Sequence, residues 1–186
     1  MQREGLWLAG ALTLAMGACK PPPSDNNTAR AATTISLRAP SAPMDSPDTT
    51  GALWMPGESR PDRIIYGKPG APVLLALECE RSDPDAPVIR ISRYAPADKD
   101  AGALLALIGN GAIGRLEVDA TPTGKRRIWQ GEAPADHPGW EPLNGPREIT
   151  ATVPGAGLVA LNPSDLPMQF LEDCRPVPSD PPEPAG

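Results

Sequence analysis

Few side chains in this sequence are suited to chemistry, and they are scattered. The single histidine, His137, sits in Ala135-Asp136-His137-Pro138-Gly139-Trp140. An aspartate beside a histidine can orient an imidazole base, but no G-x-S-x-G nucleophile accompanies it. Followed by Pro in a Gly-containing loop, His137 reads as exposed and inert. Glu78 and Glu80 lie two residues apart, a spacing that puts both carboxylates on one face of a strand. Paired carboxylates can do acid–base work, yet the wet side of a sheet looks the same. Gly109-Asn110-Gly111-Ala112-Ile113-Gly114 fits G-x-G-x-x-G. Dinucleotide binding needs that motif to open a helix, and Arg115-Leu116-Glu117-Val118-Asp119 alternates as a strand instead. No catalytic set, nucleotide or other cofactor is therefore expected.

The first twenty residues carry a different kind of chemistry. After the short polar start Met1-Gln2-Arg3-Glu4-Gly5, residues 6–18 are almost wholly apolar and end in small residues before a cysteine: Leu14-Ala15-Met16-Gly17-Ala18-Cys19. A run this short is an export signal, not a span, which needs roughly 20 apolar residues. LAMGAC resembles the lipobox of bacterial lipoproteins. The resemblance covers only this region. It implies removal of residues 1–18 as a lipoprotein signal peptide and acylation of Cys19, including palmitate. It departs from the usual pattern at Met16, where Leu is common, and in Glu4, which offsets Arg3. Lys20, rather than Asp, after the cysteine implies the periplasmic face of the outer membrane. The membrane partner is thus reached through the N-terminal lipid.

With Cys19 committed to lipid, Cys79 and Cys174 remain. In an oxidising compartment an even pair reads as a disulfide, the alternative being two separately buried thiols. The bridge would close a loop of about 95 residues, for which the chain-entropy treatment gives about 4.6 kcal/mol. Two thiols and one histidine fall short of a four-ligand zinc site, so no metal is expected.

Composition divides the 186 residues, which include 26 prolines. Residues 19–52, rich in Pro, Ser and Thr and poor in large apolar groups, read as a disordered tether behind the lipidated cysteine. Residues 176–186 read as a Pro-rich disordered tail. Between them, residues 53–175 suit one domain. The net charge of −6 lacks the basic footprint of a nucleic-acid binder, and Lys125-Arg126-Arg127 reads as a solvated hairpin turn.

The elements that must position these groups are short β segments punctuated by Pro and Gly. Residues 63–67 make a first strand. In residues 72–80 alternation puts Val73, Leu75, Leu77 and Cys79 on one face, opposite Glu78 and Glu80. Residues 88–94 alternate again, with Ile89 and Ile91 inward and Arg90 and Ser92 outward. Residues 104–108 suit either a strand or a helical turn, and the Gly-Asn-Gly that follows favours a strand paired with residues 112–119. Thr121-Pro122-Thr123-Gly124 turns the chain into residues 127–132, and residues 134–146 form a long Pro-rich loop. Residues 148–153 and 158–161 form a further hairpin. Ser164 or Asp165 caps a short helix that places Leu166, Phe170 and Cys174 on one face. The fold class expected is all-β: a small antiparallel sandwich or barrel with a short C-terminal helix, closed by one disulfide.

Aromatics make up only 4% of the chain, so the core must be mostly aliphatic. Trp129 and Trp140 then have two readings, partner anchors or covers for a lean core. A partner-binding loop would use His137 and Trp140. The layout, with an early-strand cysteine and a terminal one around a β domain, looks like many small periplasmic β proteins of Gram-negative bacteria, a resemblance that carries no activity with it. The function expected is a non-catalytic, lipid-anchored interaction module with an envelope protein partner. The alternatives are a lipid-anchored inhibitor of an envelope or host hydrolase, using residues 134–146, and a hydrolase.

Overall fold

The computed structural model describes residues 42–176. The expected signal peptide, Cys19 and most of the tail lie outside the described residues. Nine strands form one antiparallel sheet that curls into a nearly closed barrel. They are β1 (Leu53–Gly57), β2 (Arg60–Gly67), β3 (Leu75–Glu80), β4 (Val88–Pro96), β5 (Gly102–Gly109), β6 (Ala112–Thr123), β7 (Arg126–Pro134), β8 (Ile149–Thr152) and β9 (Leu158–Leu161). The lateral order is β1-β2-β3-β4-β7-β6-β5-β8-β9. A 3₁₀ helix, Pro138–Leu143, follows β7, and the helix α1, Leu166–Cys174, ends the described fold.

The alternation read from the sequence sets the faces. Leu75, Leu77, Cys79, Ile89, Ile91, Leu116 and Val118 are all buried, but β3 begins only at Leu75, so Val73, expected on the same inner face, lies in the preceding loop and is half-buried. Residues 104–108 are strand, and Asn110-Gly111 makes the tight turn into β6 with both residues at positive φ (48° and 83°), the backbone of a type I′ hairpin. Ser92 does face outward, but it is buried there, accepting a hydrogen bond from Gln130 at 2.9 Å. β6 runs on through Thr121-Pro122-Thr123, expected to be a turn, and the chain reverses at Gly124 instead. β6 changes neighbour along its length, pairing first with β5 and then, from Asp119, with β7. Gly131 marks the change: a Cβ there would come within 1.9 Å of the Glu117 carbonyl oxygen.

One end of the barrel is closed by the 3₁₀ helix and α1, which follow the strand ends of β7 and β9 and pack against each other. Phe170, Leu171 and Cys174 of α1 are buried. Cys174 is joined to Cys79 of β3 by a disulfide across 95 residues of sequence, with Cα atoms 5.8 Å apart. At the other end Arg93 is buried on the inner face. It donates to the carbonyls of Leu74 (3.1 Å) and Ala156 (2.9 Å), tying two loops together. Burial pushes its guanidinium below the usual arginine range.

The seam between the two outer strands is closed by side chains. Tyr66 of β2 is fully buried, and its hydroxyl donates to the Ala160 carbonyl (2.9 Å) and accepts from the Asn162 amide (2.9 Å). Residues 44–52 lie along β9. The Met44 amide donates to the Gly155 carbonyl (2.9 Å), and Ser46 Oγ accepts from the Leu158 amide (3.0 Å). Asn162 Nδ2 donates to the carbonyls of Thr49 (3.0 Å) and Ala52 (2.7 Å). Composition put these residues in the tether. Their backbone and small polar side chains are what the seam uses, which hydropathy does not register.

Two outcomes follow. The Cys79→Ala/Cys174→Ala pair lowers unfolding free energy by about 2–5 kcal/mol, measured from the urea midpoint under oxidising conditions. Tyr66→Phe removes the seam hydroxyl and leaves the Asn162 amide without its partner, costing about 1–3 kcal/mol in the same assay; a midpoint unchanged from wild type refutes the role of the seam.

Candidate functional site

The residues singled out in the sequence do not converge. His137 is the N-cap of the 3₁₀ helix, and its Nδ1 accepts from the Gly139 amide at 2.9 Å. Trp140, three residues on, is 0% exposed and its indole donates to the Pro134 carbonyl at 2.8 Å. A side chain without accessible surface cannot anchor a partner, which makes Trp140 a cover for the barrel end, while His137 beside it stays partly exposed. The loop 134–146 fills the barrel end, with Leu143 and Pro142 buried beside Trp140. Burial of a large aromatic in an aromatic-poor core outweighed display on the surface. Trp129 is also buried, on the inner face opposite Arg93.

The glycine motif serves the same packing. Asn110 Nδ2 donates to the carbonyls of Pro142 (2.8 Å) and Gly145 (3.1 Å), and its Oδ1 accepts from the Arg147 amide (3.2 Å). Gly114 lets the 3₁₀ helix approach, since a Cβ there would lie 1.9 Å from the Gly139 carbonyl oxygen. The motif is therefore a hairpin turn that fastens the barrel plug. Glu78 and Glu80 do face outward, where Glu78 pairs with Arg60 and Glu80 with Arg90, which also binds Glu132. Among the described residues no three His, Cys, Asp or Glu side chains gather as metal ligands would.

An accessible concavity lies on the outside of β1 and β2. A groove of about 530 Å³ runs between the β1–β2 turn and the loop 67–73. Its floor is apolar: Met55 and Ile65 are directly paired across the two strands, and Val73 extends the floor from the loop. Three cations line it, Arg60, Arg63 and Lys68, against one carboxylate, Glu58. Two are matched from outside the groove, Arg60 by Glu78 and Lys68 by Asp48 at 2.6 Å. Lys68 and the Thr50 amide hold the Asp48 carboxyl well below the usual carboxylate range. Arg63 stands opposite Glu78 in register, but the interactions formed are Glu78 to Arg60 and Arg63 to the neutral Tyr94 hydroxyl, at 2.6 Å. Arg63 Nε is buried without an acceptor.

Sequence reasoning missed this groove because its residues come from a strand not expected (β1), a strand begun too late (β2) and a Pro-Gly loop. The signal available was Arg60, Arg63 and Lys68 clustered around one short strand in an acidic chain. Comparison of the chain with family models, curated proteins and solved structures returned no match.

Trp140→Ala is expected to cost about 3–5 kcal/mol, as truncation of a buried tryptophan does, read as a lowered urea midpoint. A variant with wild-type stability contradicts its place in the core.

Proposed function

We propose that this chain is a non-catalytic binding module of the bacterial envelope, held to the periplasmic face of the outer membrane by lipid on Cys19, and that it recognises its partner through the groove on β1 and β2. One observation carries the second half of this reading: an apolar-floored, cation-lined groove stands open on the outside of a barrel whose inward side chains are buried. Its volume is in the range of ordinary ligand sites, about 300–1,000 Å³. The ion pairing of Glu78 and Glu80 and the capping role of His137 give the most reactive-looking side chains structural work, which supports a binding role over hydrolysis. The lipoprotein half rests on the LAMGAC resemblance. A mono-acylated chain binds membranes marginally, and a multiply acylated cysteine anchors stably.

Metabolic labelling with a palmitate analogue tests the anchor: label is expected on the wild type and lost in Cys19→Ala, and label that persists in the variant refutes that site. For the groove, a photocrosslinking amino acid at Val73 is compared in cells with one at Leu104, an exposed position on the outer face of β5. Adducts are expected from position 73 and not from 104, and Ile65→Asp abolishes them. Equal adducts from both positions, or adducts indifferent to Ile65→Asp, remove the groove from the reading.

A further inference from the structure

We infer that the groove takes an oxyanion, a carboxylate or phosphate, attached to a short apolar body, with Arg63 as the residue that selects the anion. This deepens the reading of the groove as the recognition face and rests on it. Of the three cations, Arg63 is the one whose guanidinium has no carboxylate bonded to it. Its Nε, like that of Arg93 and the indole nitrogen of Trp129, is buried without a partner, so what singles Arg63 out is the missing counter-ion and its place in the groove wall. A planar guanidinium without a counter-ion matches an oxyanion through charge-assisted hydrogen bonds. One terminal nitrogen of Arg63 donates to the Tyr94 hydroxyl, so the side chain is already oriented.

The apolar part of the ligand has a defined place. Arg63 and Ile65 share the outer face of β2, two residues apart, so the floor begins about 7 Å from the level of the arginine. It continues past Met55, paired with Ile65, to Val73. From Arg63 to Gly67 the strand covers about 14 Å, which bounds the apolar body to a short chain or a small ring system. Arg60 and Lys68, with their counter-ions Glu78 and Asp48, flank the floor at its two ends. Their charge is already balanced, so a second anion on the ligand is not required. A neutral amphiphile fills the floor but leaves Arg63 as it stands.

The test uses the full chain in zwitterionic nanodiscs, with empty discs as the blank. It is titrated with hexanoate, hexyl phosphate, hexanol and inorganic phosphate, and binding is read by saturation-transfer NMR. Hexanoate and hexyl phosphate are expected to bind at least about tenfold more tightly than hexanol or inorganic phosphate, the factor a charge-assisted hydrogen bond supplies. The stronger of the two names carboxylate or phosphate as the headgroup. Arg63→Gln brings both anionic amphiphiles down to the level of hexanol and leaves hexanol unchanged, and Arg63→Lys recovers part of the loss. Thermal melting of each variant checks that the barrel is intact. Equal affinity for hexanol and the anions, or an Arg63→Gln variant that still prefers the anions, overturns the inference. If position 73 still crosslinks in cells while the oxyanion preference is missing, the groove stands as the binding face and only the ligand class falls.

Discussion

The fold depends on how the free edge of β9 is satisfied. A nine-stranded open sheet has two edges, and each presents unpaired amides and carbonyls that invite pairing with another chain. Here the edge groups of Leu158, Ala160 and Asn162 are met by Ser46 Oγ and the Tyr66 hydroxyl. Closure by side chains is cheaper in sequence terms than a tenth strand, but it places weight on one phenol. Tyr66 must be fully buried to reach across, and Trp54 packs beside it with ring centroids 5.3 Å apart. Burial raises the Tyr66 pKa above the usual tyrosine value, which keeps the hydroxyl protonated and able to donate.

Closing the sheet turns its inner face into a core, and the ends then need lids. The disulfide, the 3₁₀ helix and α1 answer this at one end, and the Arg93 fork at the other. The two ends use opposite physics. One is apolar and covalently fixed. The other buries a cation whose two terminal nitrogens donate to loop carbonyls while its Nε has no partner, so the hydrogen bonds offset only part of the cost of burial. The outer face inherits what the core does not use. Over β2, β3, β4 and β7 that is a polar surface of matched pairs, Arg60–Glu78, Arg90 with Glu80 and Glu132, and Ser92–Gln130. Arg63, paired to a neutral hydroxyl, stands out against that background, which is why the groove beside it is where recognition is proposed.

Much of the fold was legible in the residues. Alternation at 72–80, 88–94 and 112–119 gave strand faces because a half-buried strand must repeat every two residues, although the first of these strands begins only at Leu75. Gly109-Asn110-Gly111 gave a hairpin because Asn and Gly tolerate positive φ, and the residues after it continue as the strand their alternation indicated. The spacing of Leu166, Phe170 and Cys174 gave the helix, although Leu171 rather than Leu166 is the residue it buries fully. The candidate site was not legible. Met55 and Ile65 read as ordinary apolar residues and Val73 as an inward strand residue, and only the pairing of β1 with β2 and the loop before β3 put them on one outward floor. Trp140 drew attention because it is rare and lies in a long loop, yet sequence position says nothing about which way such a loop folds.

By itself the sequence determined the all-β class and most strand faces, because these follow from local alternation and turn chemistry; it pointed to the disulfide partners once the lipobox resemblance set Cys19 aside. The tertiary structure alone decided the closure and the site. Residues separated by about a hundred positions, such as Tyr66 and Asn162 or Ser46 and Leu158, meet through single hydrogen bonds that leave no periodic trace. Whether a cation is balanced or available depends on which neighbours the sheet order brings beside it. That order, with β7 lying between β4 and β6, is a property of the folded chain and of no segment within it.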